Sequence, residues 1–311
     1  MKINLANIKK AKKLLDKSEC VAVPTETVYG LAGNAYSSNA CIKIYNLKKR
    51  PRNNPLIVHY YNINNIKKDC HLNSYFFRLY KNFCPGPITF ILNLKKNSKI
   101  SKIVTNKKKS LAVRFPKHAV MRNLLKKLNY PLAAPSANIS SKLSAVCSRD
   151  VKEDFGKKIK FVLDGGKSSI GIESTIIDIR KEPKILRLGG LEISNIEKAI
   201  NKRIKIQNVS NKIVAPGQSK IHYSPGIPLR LNAKKIKKHE AYLTIKKTQN
   251  FKSNYFFLSK KGNLKEAAKN LYSTLRKIKK NKFKSIAVSN IPNIGIGKSI
   301  NDRLRRASKF K

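Results

Sequence analysis

Between residues 24 and 59 the chain sets out Pro24-Thr25-Glu26-Thr27-Val28-Tyr29-Gly30-Leu31, then Lys48-Lys49-Arg50-Pro51, then Asn54-Pro55-Leu56-Ile57-Val58-His59. Hydroxyls, cations, a carboxamide and an imidazole are thus interleaved with apolar runs, an inventory suited to a small polar substrate lying beside a phosphate. A planar arginine fork next to a lysine point charge makes a phosphate clamp. Pro51 biases Arg50 toward extended backbone at a helix end. Thr25, Glu26 and Thr27 follow an apolar run over 20–23, where open α/β sheets bind ligands at the carboxyl ends of strands. The same three residues also serve as ordinary turn caps, and His59, closing an apolar run, reads equally as a structural histidine.

The pattern repeats downstream. Arg114 ends Leu111-Ala112-Val113-Arg114, and an arginine beside so much apolar surface needs a partner. Pro135-Ser136-Ala137-Asn138 follows a short apolar run and offers a hydroxyl and a two-way amide. Glu173-Ser174-Thr175 opens another strand, and Arg187 stands before Gly189-Gly190. Each group alone reads as a turn or cap. Together, three arginines and several hydroxyls recur at strand ends. Two strings imitate a P-loop, Gly165-Gly166-Lys167-Ser168 and Gly295-Ile296-Gly297-Lys298-Ser299, but Phe161 and Pro292 stand where the loop needs a glycine. A nucleotide would be held by another device.

The elements that must position these residues alternate in the manner of an α/β protein. Strands are expected over 20–23, 56–60, 88–94, 111–115, 132–134, 161–164, 175–179 and 184–187. Helices are expected over 38–47, 74–82, 119–128 and 194–200, with Ser38 and Ser194 as N-caps. A polar stretch then becomes punctuated by Pro216, Gly217, Pro225, Gly226 and Pro228 and reads as an interdomain linker. A smaller α/β unit follows, with strands over 241–245, 255–258 and 285–288 and helices over 263–280 and 298–308.

Bulk properties bound the class. With 311 residues and 41% hydrophobic content, the chain is globular and long enough for one large domain or two. No apolar run approaches the roughly 20 residues that span a bilayer, and the first residues lack a secretory signal. A soluble cytoplasmic protein is expected. The five cysteines (Cys20, Cys41, Cys70, Cys84, Cys147) contain no C-x-x-C pair and read as reduced, mostly buried thiols. The formal charge is +52, from 68 Lys+Arg against 16 Asp+Glu. Such charge attracts phosphates and polyanions. It also reads as compositional drift toward lysine, so nucleic-acid binding does not follow from it.

In the number, order and spacing of its motifs the chain resembles the YrdC family, in its longer, two-domain form. The matching segments are PTETVYGL at 24–31, K-x-R-P at 48–51, NPLIVH at 54–59, PGP-x-T at 85–89, VR-x-P at 113–116, PSAN at 135–138, GIESTIID at 171–178 and LR-x-G at 186–189. P-G-x(4)-H-Y-S-P at 216–225 and G-x-G-x-S-I-N-D-R-L-x-R-A at 295–307 resemble the longer form alone.

The resemblance implies a twisted open α/β sheet with a large basic cavity over 1–204, a linker or lid over 205–228, and a Rossmann-like α/β domain over 229–311. It implies a nucleotidyltransferase that joins L-threonine, bicarbonate and ATP into L-threonylcarbamoyl-AMP and pyrophosphate. Mg2+ would accompany ATP on its own phosphates, and no metal site on the protein is implied. The product would pass to a tRNA threonylcarbamoyltransferase complex, for modification of an adenosine beside the anticodon. Weak tRNA binding is a further expected partnership; membrane association is not.

Carried over by position, the catalytic pairs are Lys48 with Arg50 and Ser136 with Asn138. The L-threonine side comprises Thr27, His59, Arg114, Ala134 and Ser174, with Arg114 facing the amino-acid carboxylate and Ala134 contributing backbone. The ATP side comprises Lys48, Arg50, Asn54, Ser110, Ser136, Asn138, Ser144 and Arg187, with His222 and Tyr223 of the linker over the nucleotide. The chain departs from relatives after PSAN, where Ser141, Ala145 and Val146 replace Gly, Pro and Thr around Ser144. No general base is named by the pattern; His59 is the candidate. The prolines and glycines of the linker suit a lid that excludes water from a hydrolysable carbamate. Three rivals are an RNA-binding protein on the same fold, the related carbamoyl-transfer enzyme of hydrogenase maturation, and a family member that kept the fold but lost activity, the last opposed by the intact Lys48/Arg50 and Ser136/Asn138 pairs. The first lacks the expected stacking aromatics, and the second carries C-x-x-C pairs absent here.

Overall fold

The computed structural model describes residues 4–207, 222–247 and 252–309. In chain order the first unit contains α1 (Leu5–Asp16), β1 (Val21–Val23), β2 (Gly30–Asn34), α2 (Ser38–Lys48), β3 (Ile57–His59), α3 (Ile63–Ile66), α4 (Ser74–Phe83), β4 (Ile88–Asn93), α5 (Lys102–Thr105) and β5 (Ser110–Arg114). It continues through α6 (Ala119–Lys126), β6 (Leu132–Ala133), α7 (Ser148–Phe155), β7 (Thr175–Asp178), β8 (Lys184–Arg187), α8 (Ile193–Ile200) and β9 (Lys205–Ile206). The second unit contains β10 (Leu229–Arg230), β11 (Glu240–Lys246), β12 (Tyr255–Ser259), α9 (Leu264–Lys280), β13 (Ser285–Val288) and α10 (Gly297–Ala307).

The first nine strands form one mixed sheet in the order β1-β2-β6-β3-β5-β4-β7-β8-β9. Strand alternation divides its two faces. Val58, Phe90, Val113 and Ile177 turn toward the helix-covered core. Their neighbours Ile57, Ile91, Ala112 and Ile176 turn to the opposite face, where they form a small apolar cluster with Leu186. The polar residues His59, Thr89 and Arg114 share that opposite face by the same alternation. The second sheet, β10-β13-β11-β12, is parallel throughout. Helix α9 covers it, burying Ala267, Ala268, Leu271, Tyr272, Leu275 and Ile278 at helical spacing.

The expected elements stand within two residues of those observed, with three corrections. The run 161–164 is not a strand; only Val162 bridges to Ala22. The first cap is Ser37, whose hydroxyl accepts from the Ala40 amide, and not Ser38. Glu192, which makes no side-chain cap bond, stands where Ser194 was expected; Ser194 lies inside the helix. Helices α1 and α7 and strand β2 were not expected. Helix α1 buries only Ile8, Ala11 and Leu15 among its lysines, and β2 carries two glycines, which weaken a strand's signature.

The two units meet through close backbone approaches. Gly171 has φ +80°, and a Cβ there would stand 2.5 Å from Lys269 Cα on α9. Within the first unit a Cβ on Gly189 would stand 2.3 Å from the Ser174 carbonyl carbon, and the Gly189 carbonyl accepts across the junction from Ser299 Oγ of α10 at 2.9 Å. The linker residues 208–221 lie outside the described residues; His222, Tyr223 and Ser224 lie within them. Ser224 is tied to the first unit by its amide, which donates to the Ser141 carbonyl at 2.9 Å.

Candidate active site

Register assembles the site. His59 pairs with Arg114 across β3 and β5, Arg114 with Thr89 across β5 and β4, Thr89 with Ile176 across β4 and β7, and Ile176 with Arg187 across β7 and β8. One row over five strands therefore carries an imidazole, two guanidiniums and a hydroxyl. The cavity on this face holds about 510 Å³ of atom-free space, counting the open solvent at its mouth. Arg50, His59, Arg114, Ala134, Ser136, Ser174, Arg187, His222 and Tyr223 line it, and so does Glu173.

At one end, Arg114 Nη2 donates to Glu26 Oε1 at 2.7 Å, with both side chains buried. The second Glu26 oxygen accepts from the Lys117 amide at 3.1 Å. Arg114 Nε is buried without a partner, and so are both ring nitrogens of His59. Burial, reinforced by the Arg114 charge, holds His59 well below the usual imidazole value, so it is neutral at pH 7. Both residues line the cavity, and each keeps buried polar atoms unpaired, which is uncommon in a folded interior. Ser174 completes this end: its Oγ shares a hydrogen with Thr89 Oγ1 at 2.7 Å and accepts from Arg187 Nη2 at 3.0 Å.

At the other end, Arg50 follows α2, whose C-cap Lys49 has the left-handed φ of 50°. That turn aims the Arg50 guanidinium to donate to the Asn54 and Pro55 carbonyls, each at 3.0 Å, and to the Asn54 side-chain oxygen. Burial lowers Arg50 to about 10, which leaves it fully charged at neutral pH. Burial also lowers Arg187. His222 is pushed down to about 3 chiefly by burial, against the opposing pull of Glu173 and with further lowering from the Arg50, Lys48 and Arg303 charges. Tyr223, at φ 63°, lies within 4.0 Å of His222 by ring centroids.

Five expected residues stand behind the wall. Lys48 is 1% exposed and donates to the backbone carbonyls of Ser136 and Asn138. The K-x-R and S-x-N motifs are thus bonded to each other, and Lys48 shapes the wall from behind. Thr27 is fully buried beside Thr25, their hydroxyls 2.9 Å apart. Asn54 holds Arg50. The Asn138 amide donates to the Ile139 and Lys142 carbonyls at 2.8 and 2.9 Å and leaves its oxygen unpartnered. Ser144 donates to Glu173 at 2.6 Å. Ser110 is separate: it opens β5 opposite Asn93, four residues from Arg114 and roughly 13 Å along the strand, and it does not line the cavity.

Four residues of the site were not singled out as ligands by the sequence: Glu26, Thr89, Glu173 and Arg303. All four sit inside the quoted motifs, but nothing in a motif says which way a side chain turns. Glu173 is buried and accepts from Ser144, from Tyr272 Oη and from Arg303 Nε, the last at 2.8 Å. Burial raises its pKa, but the Arg303 and Arg187 charges more than compensate and hold it at about 2. Among the described residues, no cluster of three or more His, Cys, Asp or Glu is arranged to hold a metal ion.

A mixed sheet with a cavity lined by Arg50, Arg114 and Arg187, joined to a second, parallel α/β unit, defines a two-unit α/β protein. The chain belongs to the Sua5/YciO/YrdC family: residues 13–189 match the family described as "Telomere recombination", and residues 191–309 match the one described as "Threonylcarbamoyl-AMP synthase, C-terminal domain". It is 33% identical to threonylcarbamoyl-AMP synthase of Pyrococcus abyssi and 34% identical to that of Bacillus subtilis, each alignment covering 98% of this chain and 94% of the relative. The crystal structure of P. abyssi Sua5 complexed with L-threonine superposes with a TM-score of 0.91 at 31% identity, over 100% of this chain and 96% of that one. Escherichia coli YciO shares the fold of the first unit, with a TM-score of 0.54 at 22% identity.

Proposed function

We infer that this chain synthesises L-threonylcarbamoyl-AMP from L-threonine, bicarbonate and ATP, releasing pyrophosphate. The observation that carries the reading is the register row from His59 through Arg114 to Arg187, on a chain whose similarity to threonylcarbamoyl-AMP synthases extends over both units. Arg114 and His59 offer a carboxylate partner and a neutral imidazole within one register, and Ser174, hydrogen-bonded to Thr89 of that row, adds a hydroxyl, a set that suits an amino acid with a hydroxyl side chain. Arg50 and Arg187 offer guanidiniums to phosphoryl oxygens, with Ser136, His222 and Tyr223 around the rest of the nucleotide.

The chemistry then needs little beyond placement. A neutral threonine amine adds to the carbon of bicarbonate with loss of water. A carbamate oxygen attacks the α-phosphorus of ATP, and pyrophosphate departs. Negative charge grows on phosphoryl oxygens and on the leaving group, and buried guanidiniums stabilise both without reorganising. Glu173, the carboxylate in the wall, is already engaged by Arg303, so the donor set fits Mg2+ carried on the ATP phosphates. In this reading the enzyme is a nucleotidyltransferase whose catalytic unit, expected over 1–204, runs on through β9 at Lys205–Ile206, followed by a linker to 228 and a C-terminal unit over 229–311. Its product serves a cytoplasmic tRNA threonylcarbamoyltransferase complex.

The test is pyrophosphate release from ATP, bicarbonate and Mg2+ with and without L-threonine. Release that requires L-threonine, with L-serine much weaker, supports the reading. No release under any condition, with tRNA bound tightly at low salt, returns the fold to a binding role.

A further inference from the structure

The segment Asn301-Asp302-Arg303-Leu304-Arg305-Arg306-Ala307 has no task in the chemistry above, yet it reaches the cavity wall. Arg303, on α10, is 1% exposed. Its Nε donates to Glu173 at 2.8 Å, its Nη2 to the Leu188 carbonyl at 2.8 Å and its Nη1 to Asp302 at 2.7 Å. Its guanidinium carbon stands 4.7 Å from the Tyr223 ring centroid, a cation–π distance. Tyr272 of α9 donates to Glu173 at 3.0 Å and stacks on Tyr223 at 5.9 Å and 20°. Two side chains of the second unit thus hold two residues of a cavity built by the first unit and the linker.

A buried carboxylate in the wall of a polyphosphate site is a liability, because it repels the ligand unless its charge is answered. We propose that Arg303, assisted by Tyr272, is a positioning residue of the nucleotide site: it neutralises Glu173 and supports Tyr223, so that nucleotide binding in the first unit depends on a charge supplied by the second. This rests on the reading of the cavity as an ATP site. The cations around Glu173 keep it ionised at neutral pH, so the demand for a partner is permanent. The groups facing Glu173 come from several elements: Ser144 before α7, Arg187 on β8, Tyr272 on α9 and Arg303 on α10, with Lys48 of α2 and His222 and Tyr223 of the linker within reach of its charge.

The experiment measures ATP affinity by calorimetry on the whole chain, for wild type, Arg303→Gln, Tyr272→Phe, Glu173→Gln and the double variant Arg303→Gln/Glu173→Gln, each checked by thermal melting. Arg303→Gln weakens ATP binding about tenfold or more, because it leaves a buried carboxylate unanswered. Tyr272→Phe weakens it less. The double variant recovers to within about threefold of wild type, since the carboxylate no longer needs its partner. A merely structural role for Arg303 leaves the double variant as weak as the single one, and that result overturns the proposal. Equal affinity of wild type and Arg303→Gln overturns it too. Should Arg303→Gln fail to melt cooperatively, Glu173→Gln decides: affinity at least equal to wild type supports the proposal, and a clear loss means Glu173 itself serves the ligand. Wild type that binds no ATP sinks the underlying reading of the site, a distinct outcome.

Discussion

Arg114 Nη2 lies 2.7 Å from Glu26 Oε1, and the two side chains are 5% and 7% exposed. The pair spans 88 positions of sequence, and the Lys117 amide fixes the second carboxylate oxygen. Glu26 therefore fixes one edge of the guanidinium, while Nε is left buried without a partner. Replacing Arg114 by Met removes the proposed carboxylate partner. It should raise the KM for L-threonine about thirtyfold or more, as expected for losing a charge-assisted bond. Glu26→Gln keeps a hydrogen bond and should cost less, with the KM for ATP unchanged. Steady-state pyrophosphate release against L-threonine concentration checks both; an unchanged threonine KM in Arg114→Met would remove Arg114 from the substrate site.

Lys48 supplies a second prediction. Its ammonium is committed to the Ser136 and Asn138 carbonyls, and burial, then the nearby Arg50 charge, lowers its pKa well below the usual lysine value. Lys48→Met strands two buried carbonyls at a cost of about 2 kcal/mol, or roughly 5 °C in a thermal melt. Turnover should fall as well, since Ser136 is part of the wall. A variant with normal melting and lost activity would instead put the lysine on the ligand.

Stability should fall on mild acidification, for a reason that can be located. His222 has a folded pKa of about 3 against an ordinary value of 6.5, and His59 is lowered in the same direction. A base whose folded pKa is depressed contributes stability above its unfolded value and loses it as pH falls toward the folded one. The histidine contribution therefore begins to disappear near pH 6.5. Glu173, at about 2 against 4.5, follows the same sign but acts only below its unfolded value. Thermal melts between pH 7 and pH 5 should show a decline that His222→Gln reduces; an identical slope in that variant would contradict the assignment.

The junction between the two units offers a mutational handle away from the chemistry. Gly171→Ala combines a left-handed φ of +80° with a Cβ 2.5 Å from the Lys269 backbone. Strain plus overpacking should destabilise the chain by about 2 kcal/mol or more. Denaturant unfolding should show an earlier midpoint, and an unshifted curve would mean that the two backbones separate freely.

Much of this architecture is legible in the residues themselves, because alternation and strand-end placement are local properties. The runs ending at His59, Arg114 and Arg187 announce both a strand and the polar group at its tip. Partners are not local. Nothing near Lys48 says that its ammonium will be used up on carbonyls 88 and 90 positions away, so a K-x-R read as a phosphate clamp turns out to be one arginine facing the cavity and one lysine behind it. Arg303 and Glu173 lie 130 positions apart and in different units, and only the fold brings them together. Strand β2 hides because its glycines suppress strand propensity while its neighbours supply the pairing.

The most direct measurement of the central claim is mass spectrometry of the reaction with isotopically labelled bicarbonate, L-threonine, ATP and Mg2+, comparing wild type with Arg50→Met and Arg114→Met. The account predicts threonylcarbamoyl-AMP carrying one labelled carbon in wild type, formed together with pyrophosphate, and little or none in either variant. Pyrophosphate release with no labelled adenylate, or undiminished product from both variants, would contradict it.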